Sequence, residues 1–570
     1  MGWNKWRKFF RYLLIVAGLL MLVYEIQGQN LENLGEKPPL KVSGGFNFMT
    51  TGYAAGGISA RRDPFTWIAS GNLNIDLYGW SIPLSFSYTN HQGRFQQPFN
   101  RYGISPNYKW IKTYVGYHSL SYSSYTLNGH IFLGGGIELT PGNFRVHAMY
   151  GQLRKAVEID TLSDQAQPPV FARKGMATKV GYETPQGSIS TIVFYAKDDP
   201  NSLVTLSDSS LVFPTQNIAL SLIAKKQIGK HLSWEGEWAS SLLTRDIKSS
   251  PISEDSLKPS WDTWLIPIRQ STTQHQAWKT SLNFALTKGF IQWRYERVDP
   301  DYQTLGAYFF NNDLENITLG INWKFWENRL SVNFQGGLQH NNLDQSEITQ
   351  TSRWVSNYSV NIHPTDRWQL NTTYSNFTSF TNIRPQSDPF FTTEFDSLNF
   401  YQVNQNASLS SSYTFGSKER KHALSMNSTY QQANDVIPKQ FPSEQISYYY
   451  SNNMAYRISI IPTNLGLSLG GNFYYSVLQE INSTTVGPLL SISKGFLEKK
   501  LRSSISTSYN RVLQNMIASS QVLTARMSGS YSYQKNHRFS LNLNLLNNFP
   551  TGEKEAFTEF TATARYGYTF

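Results

Sequence analysis

Side chains able to do chemistry are plentiful in this sequence but dispersed. Ten histidines stand at His91, His118, His130, His147, His231, His275, His340, His363, His422 and His537. No two of them share a strand face at the spacing that a metal-ligand pair requires. His118 and His130 fall in one irregular stretch, Tyr117–His130, and are the only two that sequence places near each other; two independent wall residues are the blander reading. No phosphate-cradling GxxxxGK[ST] loop, dinucleotide glycine fingerprint, HExxH or GxSxG occurs. Gly134-Gly135-Gly136 lies inside an apolar run, where close packing in a wall explains it better than phosphate binding. With no cysteine in the chain, thiolate metal sites, a cysteine nucleophile, disulfides and a lipidated cysteine are excluded. Many serines and threonines are present and nothing selects one as a nucleophile. The expectation is no enzyme, no cofactor and no metal.

Charge and composition narrow the class. Charged residues make up 16 %, against about 25 % in soluble proteins, while aromatics reach 14 %. Mean hydropathy is −0.40, too polar for a helical membrane protein. The net charge is +11, without a basic cluster or a nucleic-acid module, so no nucleic-acid partner is expected. A basic balance also suits anionic lipid head groups.

What positions these side chains is a two-residue period. In Asn316–Phe325 the odd positions are Ile317, Leu319, Ile321, Trp323 and Phe325, and the even ones Asn316, Thr318, Gly320, Asn322 and Lys324. A strand sends successive side chains to opposite faces, so one face here is apolar and the other polar or small. Phe539, Leu541, Leu543 and Leu545 alternate with Ser540, Asn542 and Asn544 in the same way.

Tight turn signals recur between such segments, from Tyr78-Gly79 and Pro141-Gly142 to Lys494-Gly495 and Lys535-Asn536. Gly, Pro, Asn and Asp reverse a chain at little cost. Longer polar connections, such as Glu158–Ala172, Lys248–Thr273 and Thr381–Leu398, separate them on the other side. Eleven tight turns and two free ends give twelve hairpins, hence a transmembrane antiparallel up-and-down β-barrel of about 24 strands, with 22 to 26 as the range. Turns would then be periplasmic and long loops extracellular. Three strand-like runs between Gly79 and Pro141 disturb the count.

Both ends of the chain agree with export to an outer membrane. Lys5, Arg7, Lys8 and Arg11 precede an apolar run from Leu13 to Val23, too short to span a bilayer. Residues 1–28 read as a signal peptide cleaved near Gly28, 29–40 as a short periplasmic segment and 41–570 as the barrel. At the other end Phe560, Ala562, Ala564, Tyr566, Tyr568 and Phe570 share one face. The terminal Tyr566, Tyr568 and Phe570 resemble the C-terminal assembly signal of bacterial outer-membrane barrels. The expected partners are therefore outer-membrane lipid and the barrel-insertion machinery, with other outer-membrane or periplasmic proteins as further candidates.

A second resemblance is carried by Arg61-Arg62-Asp63-Pro64-Phe65-Thr66-Trp67, Ser70-Gly71-Asn72-Leu73-Asn74, Ser81-Ile82-Pro83 and Tyr125-Thr126-Leu127-Asn128-Gly129-His130. These segments resemble a family of Bacteroidetes outer-membrane barrels, mostly uncharacterised, and the likeness is strongest over residues 40–155. It implies a Bacteroidetes-type outer membrane and transfers no catalytic residue.

Alternation also assigns the wet face. Lys279, Arg294, Glu296, Lys324 and Arg565 are expected to face the lumen, a mixed and mildly basic wall. About 24 strands enclose more space than side chains fill, and no plug domain precedes the first strand. The lumen is then open, filled by a partner, or occluded by inward segments such as Ala54–Pro64 and His118–His130. Arg61, Arg62 and Asp63 are the candidate pins for the first of these. The functional expectation is a channel for polar solutes; the alternative is a non-enzymatic barrel subunit docking partners in an assembly, secretion or uptake complex.

Overall fold

A computed structural model describes residues 40–90, 100–158, 169–203, 212–252, 266–308, 311–345, 352–376, 405–435, 445–478, 481–552 and 555–570. The proposed signal peptide and His91 lie outside the described residues, as do Thr381–Leu398 and most of the segment 29–40.

The alternating segments become long antiparallel strands, and the sheet closes on itself. Leu40–Gly56 pairs with Phe65–Leu77 on one edge and with the last strand, Phe557–Thr569, on the other. Closure leaves no unpaired edge, which a wall in hydrocarbon cannot tolerate. At the seam Gly44 and Phe570 exchange N–H to O bonds, both 3.0 Å long. A Cβ on Gly44 would lie 2.4 Å from the Asn72 carbonyl oxygen of the neighbouring strand Phe65–Leu77, so glycine permits that close approach.

Twenty-six strands make the wall. Arg101–Ile104 and Asn107–Tyr108 are two halves of one of them, both pairing with Trp80–Thr89 and Ile111–Ser121. Pro106, with no N–H to give a ladder, falls at the break. Four wall strands therefore lie between Gly79 and Pro141 where sequence shows three runs. The missed turn is Lys109-Trp110, with Lys109 at φ 52°. It carries no glycine or proline, which is why turn chemistry does not reveal it. A second turn is displaced: the strand Ile481–Phe496 runs through Lys494 and Gly495, and the chain reverses at 497–500. At the end where long loops are expected, Asn515 and Met516 alone join two strands.

Register turns the period into two surfaces. Ile317, Leu319, Ile321 and Trp323 meet Leu338, Gly336, Phe334 and Val332 across the strand, and Tyr295, Trp293, Ile291 and Gly289 on the other side. The same outward row continues through Phe539, Leu541 and Leu543 against Tyr566, Ala564 and Ala562. Aromatic rings cluster at both ends of this apolar band. At the turn end Trp80 stacks on Tyr108 at 5.0 Å, and Phe539 lies 5.0 Å from Tyr566. At the loop end Tyr430, Tyr450 and Tyr475 follow one another at 4.8 and 6.1 Å. Phe539 and Phe549, one in each belt of a single strand, are about 33 Å apart along it; strand tilt reduces this to about 25 Å, the height of an outer-membrane apolar band. Around Tyr195, Ile218 and Leu242 the outward face is covered by Ile266 of the chain's own connection.

Candidate functional site

The inward face is divided into two unlike halves. On a circular section, 26 strands spaced about 4.8 Å apart and tilted about 40° enclose a bore on the order of 50 Å between backbones. Wall side chains cannot fill that width. Two connections turn inward to occupy part of it.

The first is 122–126, between the strands Ile111–Ser121 and Leu127–Leu139. The second, described over 299–308 and 311–313, lies between Gly289–Val298 and Leu314–Phe325. They meet inside the barrel. The Tyr302 hydroxyl donates to the Tyr125 carbonyl at 2.8 Å, and the Thr304 hydroxyl to the Thr126 carbonyl at 2.7 Å. Gly306 and Ala307 then run parallel to Leu127 and Asn128 as a short internal ladder. A Cβ on Gly306 would fall 2.3 Å from the Thr126 oxygen and 3.0 Å from the Phe194 ring, so glycine permits the approach. The pair rests on an apolar cluster of inward side chains, among them Leu127, Phe132, Met149, Leu153, Phe194 and Leu305, all buried. Each such burial contributes roughly 1.5–3 kcal/mol. That sum far exceeds thermal energy, so the module is a folded shelf on the wall.

Charged wall residues latch the shelf. Lys279 lies between Glu237 and Glu296 in the register of three adjacent strands. Glu296 accepts from the Tyr125 hydroxyl at 2.6 Å. Glu237 accepts from the Ser221 hydroxyl at 2.8 Å and also from that of Ser123. Asn217, fully buried, accepts from the Leu305 N–H at 3.1 Å, and the Ser241 hydroxyl donates to the Gln303 carbonyl at 2.6 Å. Burial, with the Glu296 carboxylate next, pushes the Tyr125 phenol well above its ordinary range. Burial does the same to Tyr122 and Tyr302. All three phenols remain protonated at any physiological pH, so Tyr125 and Tyr302 keep their donated bonds.

Several other charges on this side of the lumen are paired. Glu138 lies 3.7 Å from His147, Lys225 3.1 Å from Glu235, and Arg145 2.9 Å from Glu183. Buried Asp198 takes both Arg173, at 2.7 Å, and Arg154, at 3.3 Å.

The opposite arc, nine strands from Gln405–Gly416 to Phe557–Thr569, has no shelf among its described residues. Its inward rows are short and polar: Ser408, Ser410 and Ser412; Ser504, Ser506 and Ser508; Ser540, Asn542 and Asn544. Apart from two glycines, Ser447, Ser451 and Val522 are the buried residues of these strands among those described.

The residues singled out from sequence fall in different places. Lys279, Arg294 and Glu296 are gathered on two adjacent strands beneath the shelf. Lys324 stands exposed at the turn end of the next strand, and Arg565 across the lumen, its guanidinium 3.3 Å from the Met49 sulfur. Arg61 lies 3.6 Å from Glu559 and over the Phe557 ring, and Arg62 over Tyr53. They tie the connection 57–64 to the closing seam. Of the segment Ala54–Pro64, Ala54 to Gly56 belong to the first strand. Within His118–His130, residues 122–126 form half of the shelf. His118 and His130 do not pair with each other: His118 sits by the Ile104 and Val115 carbonyls, while His130 stacks on Tyr308 at 4.3 Å. Gly134 packs in the wall against Gly151, where a Cβ would lie 2.5 Å from the opposite Cα. Tyr566, Tyr568 and Phe570 face outward in the turn-end aromatic belt. Sequence reasoning missed Tyr302, Thr304 and Leu305. Their only signal is a tyrosine and a leucine in an otherwise polar connection.

No family model matches the chain, and no curated protein does. Solved structures with some likeness include the P pilus usher (PapC) translocation pore, at 10% identity and TM-score 0.40, covering 93% of this chain and 100% of the other. The ferric preacinetobactin receptor BauA of Acinetobacter baumannii has 10% identity and TM-score 0.33, over 93% and 81%. OccAB4 of the same organism has 8% identity and TM-score 0.30, over 70% and 98%. Likeness this loose carries no functional argument, and the reading that follows rests on the chain's own geometry.

Proposed function

We propose that the chain is a non-enzymatic conduit for polar solutes in an outer membrane, its bore narrowed from one wall by the shelf. The observation that carries this is the division of the lumen: an apolar module latched to one arc, and facing it an arc whose described inward rows are rich in serine, threonine and asparagine. Polar hydroxyls and amides replace part of a solute's water shell, and among the described residues no core runs from wall to wall. The outward apolar band with its two aromatic belts supports lipid as the surrounding solvent. The aromatic C-terminal strand supports insertion by the barrel-assembly machinery, and the resemblance over residues 40–155 supports a Bacteroidetes-type outer membrane.

Recording from purified protein in planar bilayers tests this. A steady open conductance is expected. A sealed barrel that co-purifies with outer-membrane or periplasmic proteins would make it the partner-docking subunit instead.

A further inference from the structure

The lumen's charges are segregated as well as its shelf. On the shelf-bearing arc, carboxylates are interspersed with the inward cations, several of them in ion pairs. On the nine-strand arc, the inward positions carry Lys421, Arg457, Arg502, Arg526, Arg538 and Arg565. Against these six cations the described inward side chains include one carboxylate, Glu559, and that one already takes the Tyr53 hydroxyl and Arg61. All six cations are exposed, and none lies within ion-pair distance of a described carboxylate. Their contacts are neutral: Arg526 donates to the Asn544 side chain at 3.3 Å, and Arg565 to the Met49 sulfur. Register connects them. Arg457, Ser468, Ser491, Ser506, Arg526 and Asn544 follow one another across six adjacent strands. Arg502 and Arg565 share a neighbouring row through Ser530 and Ser540.

We infer that the open arc is a selectivity surface for anions, and that the solutes it favours carry carboxylate, phosphate or sulfate groups. The inference rests on the conduit reading above and names its substrate class. Guanidinium groups spaced along hydroxyl ladders offer an oxyanion successive charge-assisted donors without a buried trap. Uncompensated wall charge also raises the local concentration of counter-ions. The range of that effect sets its size. At physiological salt the Debye length is about 8 Å, well short of a bore on the order of 50 Å, whereas at about 0.01 M salt it reaches about 30 Å. The preference is therefore modest and strongly dependent on ionic strength.

The test is the reversal potential of the reconstituted full-length protein in asymmetric potassium chloride. A chloride-to-potassium permeability ratio of roughly two to five is expected at about 0.03 M salt, falling toward one at about 1 M as screening closes in. Replacing all six cations by Gln should bring the low-salt ratio to one or below. Arg526→Glu alone, a milder change at an exposed site, should reduce it, and Arg526→Lys should keep it. Conduction with no preference, or with cation preference, at low salt overturns the inference and leaves the conduit standing. So does a six-fold Gln variant that retains the wild-type ratio. A barrel that passes no current removes the conduit, and this inference with it.

Discussion

Hydroxyl groups hold the shelf in place, and their loss should be measurable. Tyr125→Phe removes the donor to Glu296 and leaves a carboxylate short of a partner. A hydrogen bond to a charged group contributes about 1.5–3 kcal/mol. Amide exchange over Tyr122–Leu127, followed by mass spectrometry in lipid nanodiscs, should accelerate by about tenfold or more. Unchanged exchange would mean that the latch contributes nothing. The same phenols give a pH dependence. Burial raises the Tyr122, Tyr125 and Tyr302 phenols above the unfolded value near 10. Their contribution is complete below that value and is lost as pH rises through and beyond it, because the unfolded segment releases its protons first. Shelf protection should be flat from about pH 6 to 9 and decline above about 10; a decline on acidification instead would contradict this assignment. Strand period assigns Lys279, Arg294 and Glu296 to one face in the sequence. It assigns no face to Ser123 and Tyr125, since a connection has no period to read.

At the scale of elements, the alternating pattern carried most of the fold. It failed where local chemistry was misleading. Lys109-Trp110 reverses the chain without a turn residue, and Gly495 resembles a turn inside a strand. Leu497, Glu498 and Lys499 make that reversal with positive φ values instead. The strand His537–Pro550 offers a test of the two faces. Leu543 faces outward at mid-height and Asn542 inward. An arginine at a lipid-facing midplane site costs about 2–4 kcal/mol. Leu543→Arg should lower stability by that amount in a vesicle refolding titration, while Asn542→Arg should change it by less than about 1 kcal/mol. Comparable losses at both sites would mean that the wall does not divide lipid from water. Phe570→Ala probes the seam in another way. It removes an outward ring beside Tyr568 while keeping the backbone pair with Gly44. The folded barrel that remains should be nearly as stable as the parent, but the yield of inserted protein in cells should fall; an unchanged yield would remove the assembly role.

The whole molecule depends on a closed sheet whose two surfaces meet different solvents. Strand number, bore and the division of the lumen are properties of that closure and not of any one segment. The net charge of +11 shows this well. Summed over the chain it suggests only a mildly basic protein. Laid on the barrel it becomes cations mixed with carboxylates beside the shelf and, among the described residues, six cations without an ion pair across from it, a separation that composition cannot express. Because the chain contains no cysteine, a single cysteine can be placed at each position from Arg538 to Leu545 in turn and reacted, in proteoliposomes, with a membrane-impermeant thiol reagent. Rapid labelling at 538, 540, 542 and 544, with protection at 539, 541, 543 and 545, is the result expected of a wall with water within and hydrocarbon without. Labelling that is uniform along the segment, or protected at the even positions, would contradict it.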